Sequence, residues 1–259
     1  MKKLLLVTLL VLFSTQTFAL TAQERGLQII VEVDRRDTGF GDTKATLNMR
    51  LIDRTGNESL RSLKIKTLEV VNDGDKSLII FSTPRDIKGT AFLSYTHALV
   101  SDEQWLYLPA LKRVKRISSS NKSGPFLGSE YAFEDLTSFE VAKYNYKYLR
   151  NETIEGIACY VLELIPNYKH SGYTRELIWI DQARYIAIKV EYYDRKESLL
   201  KTQTFKNYKQ YLNQYWRAGE QVMTNHQNGK STELLWEDYQ FGMGLTDRDF
   251  DKNTLKRAR

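Results

Sequence analysis

Few residues in this 259-residue chain are of types that do chemistry, and their spacing keeps them apart. The three histidines, His97, His170 and His226, have no partner histidine at i+3 or i+4, and the single cysteine, Cys159, offers no cluster to complete a metal set. Ser119-Ser120-Asn121-Lys122 matches S-x-x-K, in which a lysine could take the serine proton. Its K-T-G and S-D-N companions are missing, however, and it lies in a loop rather than opening a helix. Gly39-Phe40-Gly41 and Gly242-Met243-Gly244 lack the third glycine of a dinucleotide loop and read as turns. Glu134 and Asp135 have the chemistry of an acid and a base, yet neighbours on one element seldom face each other across a substrate. The residues therefore point to binding, with no catalytic group, cofactor or metal. Their most informative stretch runs from Trp105 to Leu136: an alternating WLYLP, then four cations at Lys112, Arg113, Lys115 and Arg116, then a polar loop leading to Phe126, Leu127, Tyr131 and Phe133. Apolar groups so close to a flexible loop suggest a lid.

The elements that must position these residues are mostly strands. Thr21 and Glu24 form a capping-box pattern that opens a helix over 21–36, with Leu27, Ile30 and Val31 on one face. From Thr43 the period becomes two: Ala45, Leu47, Met49 and Leu51 oppose Lys44, Thr46, Asn48 and Arg50. The same alternation runs through Ala158 to Leu164, through Ile186, Ile188, Val190 and Tyr192, and around Trp236; Asn228-Gly229 signals a type I′ hairpin. Helical period returns only around 129–142 and 251–256. Many strands joined by short turns predict an antiparallel sheet.

Lys2 and Lys3 precede an apolar run from Leu4 to Phe13, and Thr17-Phe18-Ala19 offers the small residues a signal peptidase reads, so residues 1–19 are expected to be a cleaved leader. That run is short for a span of about 20 residues, and Cys159 lies too deep to carry a lipid anchor. Residues 20–259 are then expected to form one soluble exported domain, a monomer. Formal charge is +6, two of it in Lys2 and Lys3, leaving +4 on the mature chain: too small an excess for nucleic-acid binding, enough for peripheral attraction to anionic lipid.

The order of WLYLP (105–109) and GSEYAFEDL (128–136), with DRRDTGFGDTKATLNMRLIDRTG (34–56), EGIACYVLELIP (155–166), ELIWIDQARYIAIKVEYYD (176–194) and MTNHQNGKSTELLWEDY (223–239), resembles the LolA-like family of periplasmic outer-membrane lipoprotein-sorting proteins. The resemblance covers nearly all of the mature chain. It implies a mainly β fold with helices: a strongly curved antiparallel sheet, an open half-barrel, wrapped around the N-terminal helix and a mid-chain helical lid, enclosing an apolar cavity for acyl chains without catalytic residues. The branch it is most similar to is associated with RND/MMPL-type inner-membrane exporters. Each acyl CH₂ moved from water into such a cavity contributes about 0.8 kcal/mol. The expected lining is Trp105, Tyr107, Phe126, Leu127, Phe133, Trp179, Ile186 and Ile188, with the mouth near Lys112, Arg113, Lys115 and Arg116, which would meet a headgroup or an acidic partner. If Trp105 lines open space, emptying it should cost less than a packed core site. Two other readings compete: an exporter accessory subunit with a filled core, and an enzyme acting on envelope lipid or glycan.

Overall fold

The structure, a computed structural model, describes residues 20–257. The expected leader over 1–19 lies outside the described residues. Helix α1 spans Ala22–Asp37. Its capping box is formed as the sequence suggests: the Glu24 amide donates to Thr21 Oγ1 at 3.2 Å, and the Thr21 amide donates back to Glu24 Oε2 at 2.8 Å. The buried face is displaced from the expected one. Gly26, Ile29 and Ile30 are buried, while Leu27 and Val31 are exposed. Gly26 sets that orientation, because a Cβ there would stand 2.9 Å from the Tyr148 amide nitrogen, so only glycine lets the helix approach the sheet this closely.

Fifteen strands follow. They are β1 (Asp42–Ile52), β2 (Glu58–Leu68), β3 (Lys76–Thr83), β4 (Ala91–Tyr95), β5 (Glu103–Leu108), β6 (Arg113–Ile117), β7 (Tyr144–Ile154), β8 (Ile157–Pro166), β9 (Arg175–Asp181), β10 (Ala187–Tyr193), β11 (Leu199–Lys206), β12 (Lys209–Tyr211), β13 (Tyr215–Arg217), β14 (Glu220–Asn225) and β15 (Ser231–Phe241). Thirteen form one sheet in the order β6-β5-β4-β3-β2-β1-β15-β14-β11-β10-β9-β8-β7, and β12 pairs with β13 apart from it. Neighbouring strands pair antiparallel, and β6 and β7 are the two edges of an open sheet. The Asn228-Gly229 turn joins β14 to β15, but Gly229 has a left-handed φ of 71° without Asn228 sharing it, so it is not type I′.

The sheet has an inner face that carries α1 and the mid-chain segment 118–143, and an outer face. Leu47 and Met49, Ile79 and Phe81, Phe92, Leu106 and Ile117 point inward onto Phe126, Tyr131 and Phe133. The expected helical lid is instead a packed insertion built of short 3₁₀ turns (Ser119–Asn121, Phe133–Leu136, Val141–Lys143). Phe126 is fully buried and makes an edge contact with Phe92 at 5.3 Å between ring centres. The segment is tied down at both ends by Asp102, which accepts from Lys122 at 3.0 Å and Lys143 at 2.5 Å. On the outer face, Leu78, Ile80, Leu93 and Trp105 are covered by Leu245, Phe250 and Leu255 of the C-terminal segment. The expected helical period over 251–256 is a 3₁₀ stretch, Lys252–Arg257.

Candidate functional site

A cavity of about 720 Å³ opens on the inner face between α1, the segment 134–142 and strands β8 to β11. Its apolar wall is Ile30 and Val33 of α1, Leu164, Ile178, Ala187 and Val190 of the sheet, and Phe139, Val141 and Phe205. Tyrosines line much of the rest. Phe139 stacks on Tyr144 at 5.5 Å, Tyr168 meets Tyr144 edge-on at 5.9 Å, and Tyr173 lies 4.8 Å from Tyr192. The turn between β2 and β3 forms part of the rim, with Val70, Val71 and Asp73, and Ala98 joins it from the loop after β4. His97 Nδ1 lies 2.8 Å from Asp73, binding these two loops together.

Carboxylates are the polar part of the site. Glu134 accepts from the Gly172 amide at 2.8 Å and from Tyr168 and Ser171, each at 3.1 Å. A Cβ at Gly172 would come within 2.7 Å of Glu134 Oε1 and 2.9 Å of Ser123 Cβ, so a larger residue here would displace the Glu134 carboxylate or Ser123. Asp135 accepts from Lys201, Tyr173 and the Ala132 amide, each at 2.6 Å. Burial pushes the pKa of Glu176 up to about 8, that of Asp75 up to about 7, and those of Glu134 and Glu140 upward as well. The buried tyrosines Tyr144, Tyr173 and Tyr192 are likewise held neutral by burial. These groups form hydrogen-bond anchors and a floor of neutral phenols, and no nucleophile stands among them beside a base. Among the described residues no group of three or more His, Cys, Asp or Glu is placed to hold a metal ion. Lys122 of the S-x-x-K match is committed to Asp102, bonding its carbonyl at 2.9 Å and its carboxylate at 3.0 Å.

The residues expected to line a ligand cavity are not among those that line this one. Trp105 and Tyr107 lie on the outer face under the C-terminal segment, and Leu106 is the inward residue of β5. Both faces of this half of the sheet are buried, so the alternation of aromatic and aliphatic residues carries no sign. Phe126, Leu127 and Phe133 do lie on the inner side, but packed against β1 to β6. Trp179 and Ile188 pack on the outer face with Cys159 and Val161, and the Lys189 ammonium lies 3.6 Å from the centre of the Trp179 ring. A register shift between Ala187 and Lys189 splits the expected face of β10: Val190 and Tyr192 reach the cavity together, but Ala187 joins them in place of Ile188. Ile186 is half-buried just before that strand and is outside the lining. Lys112, just before edge strand β6, and Arg113, Lys115 and Arg116 along it are exposed, Arg116 pairs with Glu103 at 2.9 Å, and the cavity rim is acidic rather than basic. In β9, Glu176 and Ile178 of the cavity lining share one parity with Ile180, which packs in the core against α1.

A family model described as an uncharacterized protein matches residues 73–257. An outer membrane lipoprotein-sorting protein domain from Vibrio parahaemolyticus is 56% identical, with a TM-score of 0.89 over 91% of this chain and all of that one. The chain belongs to the LolA-like family of outer membrane lipoprotein-sorting proteins. A DUF1329 family protein from Desulfovibrio piger superposes on 91% of this LolA-like chain and 100% of its own length, with a TM-score of 0.86 at 28% identity. A LolA superfamily protein from Nitrosomonas europaea shares the fold, with a TM-score of 0.71 at 24% identity over 91% of this chain and 99% of its own. No curated protein matches the sequence significantly. No described helix of this LolA-like chain is long and apolar enough to cross a membrane.

Proposed function

We propose that this LolA-like chain is a non-catalytic periplasmic carrier that takes a lipidated protein or another hydrophobic ligand into the inner-face cavity during outer-membrane lipoprotein or lipid sorting. In this reading residues 1–19 are the export leader, residues 20–259 are one domain, and the sheet curves as a half-barrel around α1 and the inserted segment. An RND- or MMPL-type inner-membrane transporter would supply or receive the ligand. The observation that carries the reading is the cavity itself: its volume of about 720 Å³ lies in the range of ligand sites, and Ile178, Val190, Leu164 and Phe205 give it an apolar wall. The 56% identity to a lipoprotein-sorting domain supports the same reading.

The test is saturable binding of a neutral fluorescent acyl probe, compared with Ala187→Phe, which places a ring in the cavity without touching the packed half of the core. Binding should weaken at least tenfold, a change of about 1.4 kcal/mol, with the denaturant midpoint unchanged. A second reading, an exporter accessory subunit with a filled core, is favoured by the packing of Phe126, Tyr131 and Phe133 against β1 to β6. Absence of saturable binding by the wild type would select it.

A further inference from the structure

The charge of the cavity is one-sided. Nine carboxylates line or rim it, and no lysine or arginine is among the lining residues. Three of the nine have a cation behind the wall: Lys201 for Asp135 at 2.6 Å, His97 for Asp73 at 2.8 Å, and Arg217 for Asp37. Glu134 is held by its three donors. Glu176 differs from all of these. It lines the cavity on the same face of β9 as Ile178 and is only 8% exposed, with the Tyr144 hydroxyl and the Lys201 ammonium in its neighbourhood. Among the described residues its carboxyl forms no ion pair and no hydrogen bond of ordinary length. A buried carboxyl whose one nearby donor is the Tyr144 hydroxyl is costly unless something else completes it. Tyr144, Tyr168 and Tyr192 lie near this position, and the Lys201 ammonium already stands 5.2 Å from the centre of the Tyr192 ring. An anionic headgroup would meet the Glu176, Glu134 and Asp135 carboxyls with one ammonium, Lys201, already bound to Asp135, whereas an ammonium meets a carboxyl that has no ion pair and an apolar wall beyond.

We infer that the cavity takes an amphiphile whose polar end is an ammonium, received by Glu176, with its hydrocarbon laid along Ile178, Val190 and Leu164. The inference rests on the carrier reading and names the chemistry of its ligand. Because burial raises Glu176 to about 8, with Asp135 and Glu134 adding repulsion, capture of the cation at neutral pH expels a proton. The carboxylic acid and the ammonium give a carboxylate–ammonium pair and one free H⁺. Binding therefore tightens as pH rises toward and through about 8, the Glu176 value. The other groups facing Glu176 leave it as the titrating site: Lys201 of β11 and Asp135 bind each other, Glu134 is satisfied by its donors, and Tyr144, Tyr146, Tyr168 and Tyr192 are neutral phenols raised by burial.

The experiment is calorimetric titration of the mature chain with octylamine, octanol and octanoate at neutral and alkaline pH, in two buffers of different protonation enthalpy, repeated on Glu176→Gln. Octylamine should bind at least tenfold more tightly than octanol, release about one proton at pH 7, and lose both properties in the isosteric variant. If the variant does not fold, the amine-to-alcohol ratio and the proton count of the wild type decide. Octanol binding as tightly as the amine, or octanoate binding best, overturns the ammonium assignment and leaves the carrier reading standing. Failure of all three ligands to bind overturns both. A diacylated peptide with a free α-ammonium and its N-acetylated twin then separate the two sources of the chemistry: preference for the free terminus assigns a lipoprotein end, and equal weak binding assigns a free amphiphilic amine.

Discussion

Asp75 shows what the acidic rim costs the fold. Its carboxyl is raised to about 7 chiefly by burial, and then by Glu140, Glu69 and Asp37 nearby, against one weak donor, the Val70 amide at 3.3 Å. An unfolded aspartate titrates near about 3.9, so the folded state binds the proton more strongly. Stability is therefore highest below about pH 4 for this group and is lost as pH rises from there through about 7. Asp75→Asn keeps an acceptor for Val70 and removes the titration. The variant should be the more stable at pH 8 by on the order of 1–3 kcal/mol, and the difference should shrink toward zero at pH 4. Urea midpoints for both proteins across that interval measure it, and a gap that does not change with pH would show that Asp75 is hydrated rather than buried. Glu176 adds to the same slope over a window that ends near 8, so the two carboxyls are separated by measuring Glu176→Gln alongside.

At the scale of elements, the C-terminal segment turns β5 into a strand buried on both sides. Trp105 is 7% exposed beneath Phe250 and Leu255, Tyr95 packs edge-on to it at 5.1 Å, and the Tyr95 hydroxyl donates to the Phe250 carbonyl. Trp105→Ala should therefore cost about 3–5 kcal/mol, the full penalty of a packed site, and leave acyl binding within about twofold. Phe250→Ala should cost a similar amount, and the double variant less than the sum, because the two residues belong to one packed cluster. A Trp105→Ala protein of wild-type stability that no longer binds ligand would return this face to the cavity. The same packing explains what is legible in the sequence. Strand β1 reads correctly because Lys44, Asn48 and Arg50 mark one of its sides as wet, which assigns Ala45, Leu47 and Met49 to the core. Strands β5 and β9 carry apolar residues on both sides, and the cover over Trp105 comes from residues more than a hundred positions away, which no local pattern contains. The capping box of α1 is local and legible; the orientation of its buried face depends on Gly26 touching β7, a contact visible only once the sheet exists. The register shift in β10 exchanges the faces of Ala187 and Ile188 by the same long-range logic.

For the molecule as a whole, the open sheet separates two charged regions. Lys112, just before β6, and Arg113, Lys115 and Arg116 along it lie at one edge, whereas the acid-lined cavity stands against β8 to β11, toward the other edge. A row of exposed cations on an unpaired edge strand opposes pairing with a second sheet. On the carrier reading, attraction of this edge to anionic lipid and repulsion of the acidic rim would turn β6 toward a membrane. Replacing all four cations with Ser should weaken binding to anionic liposomes several-fold, since each basic residue near such a surface contributes about 1 kcal/mol. Salt should weaken the wild type in the same way, because exposed charges are screened over about 8 Å at physiological ionic strength. Folding stability should move by no more than about 0.5 kcal/mol, as Arg116–Glu103 is the one ion pair these residues make among the described residues and it is exposed. Ligand capture should be unaltered, because none of the four lines the cavity. Liposome cosedimentation, with acyl binding measured on the same preparations, separates these effects. Unchanged cosedimentation in the fourfold variant would reduce the edge to a guard against aggregation, and a parallel fall in ligand capture would mean that the cavity is entered past β6 rather than over its acidic rim.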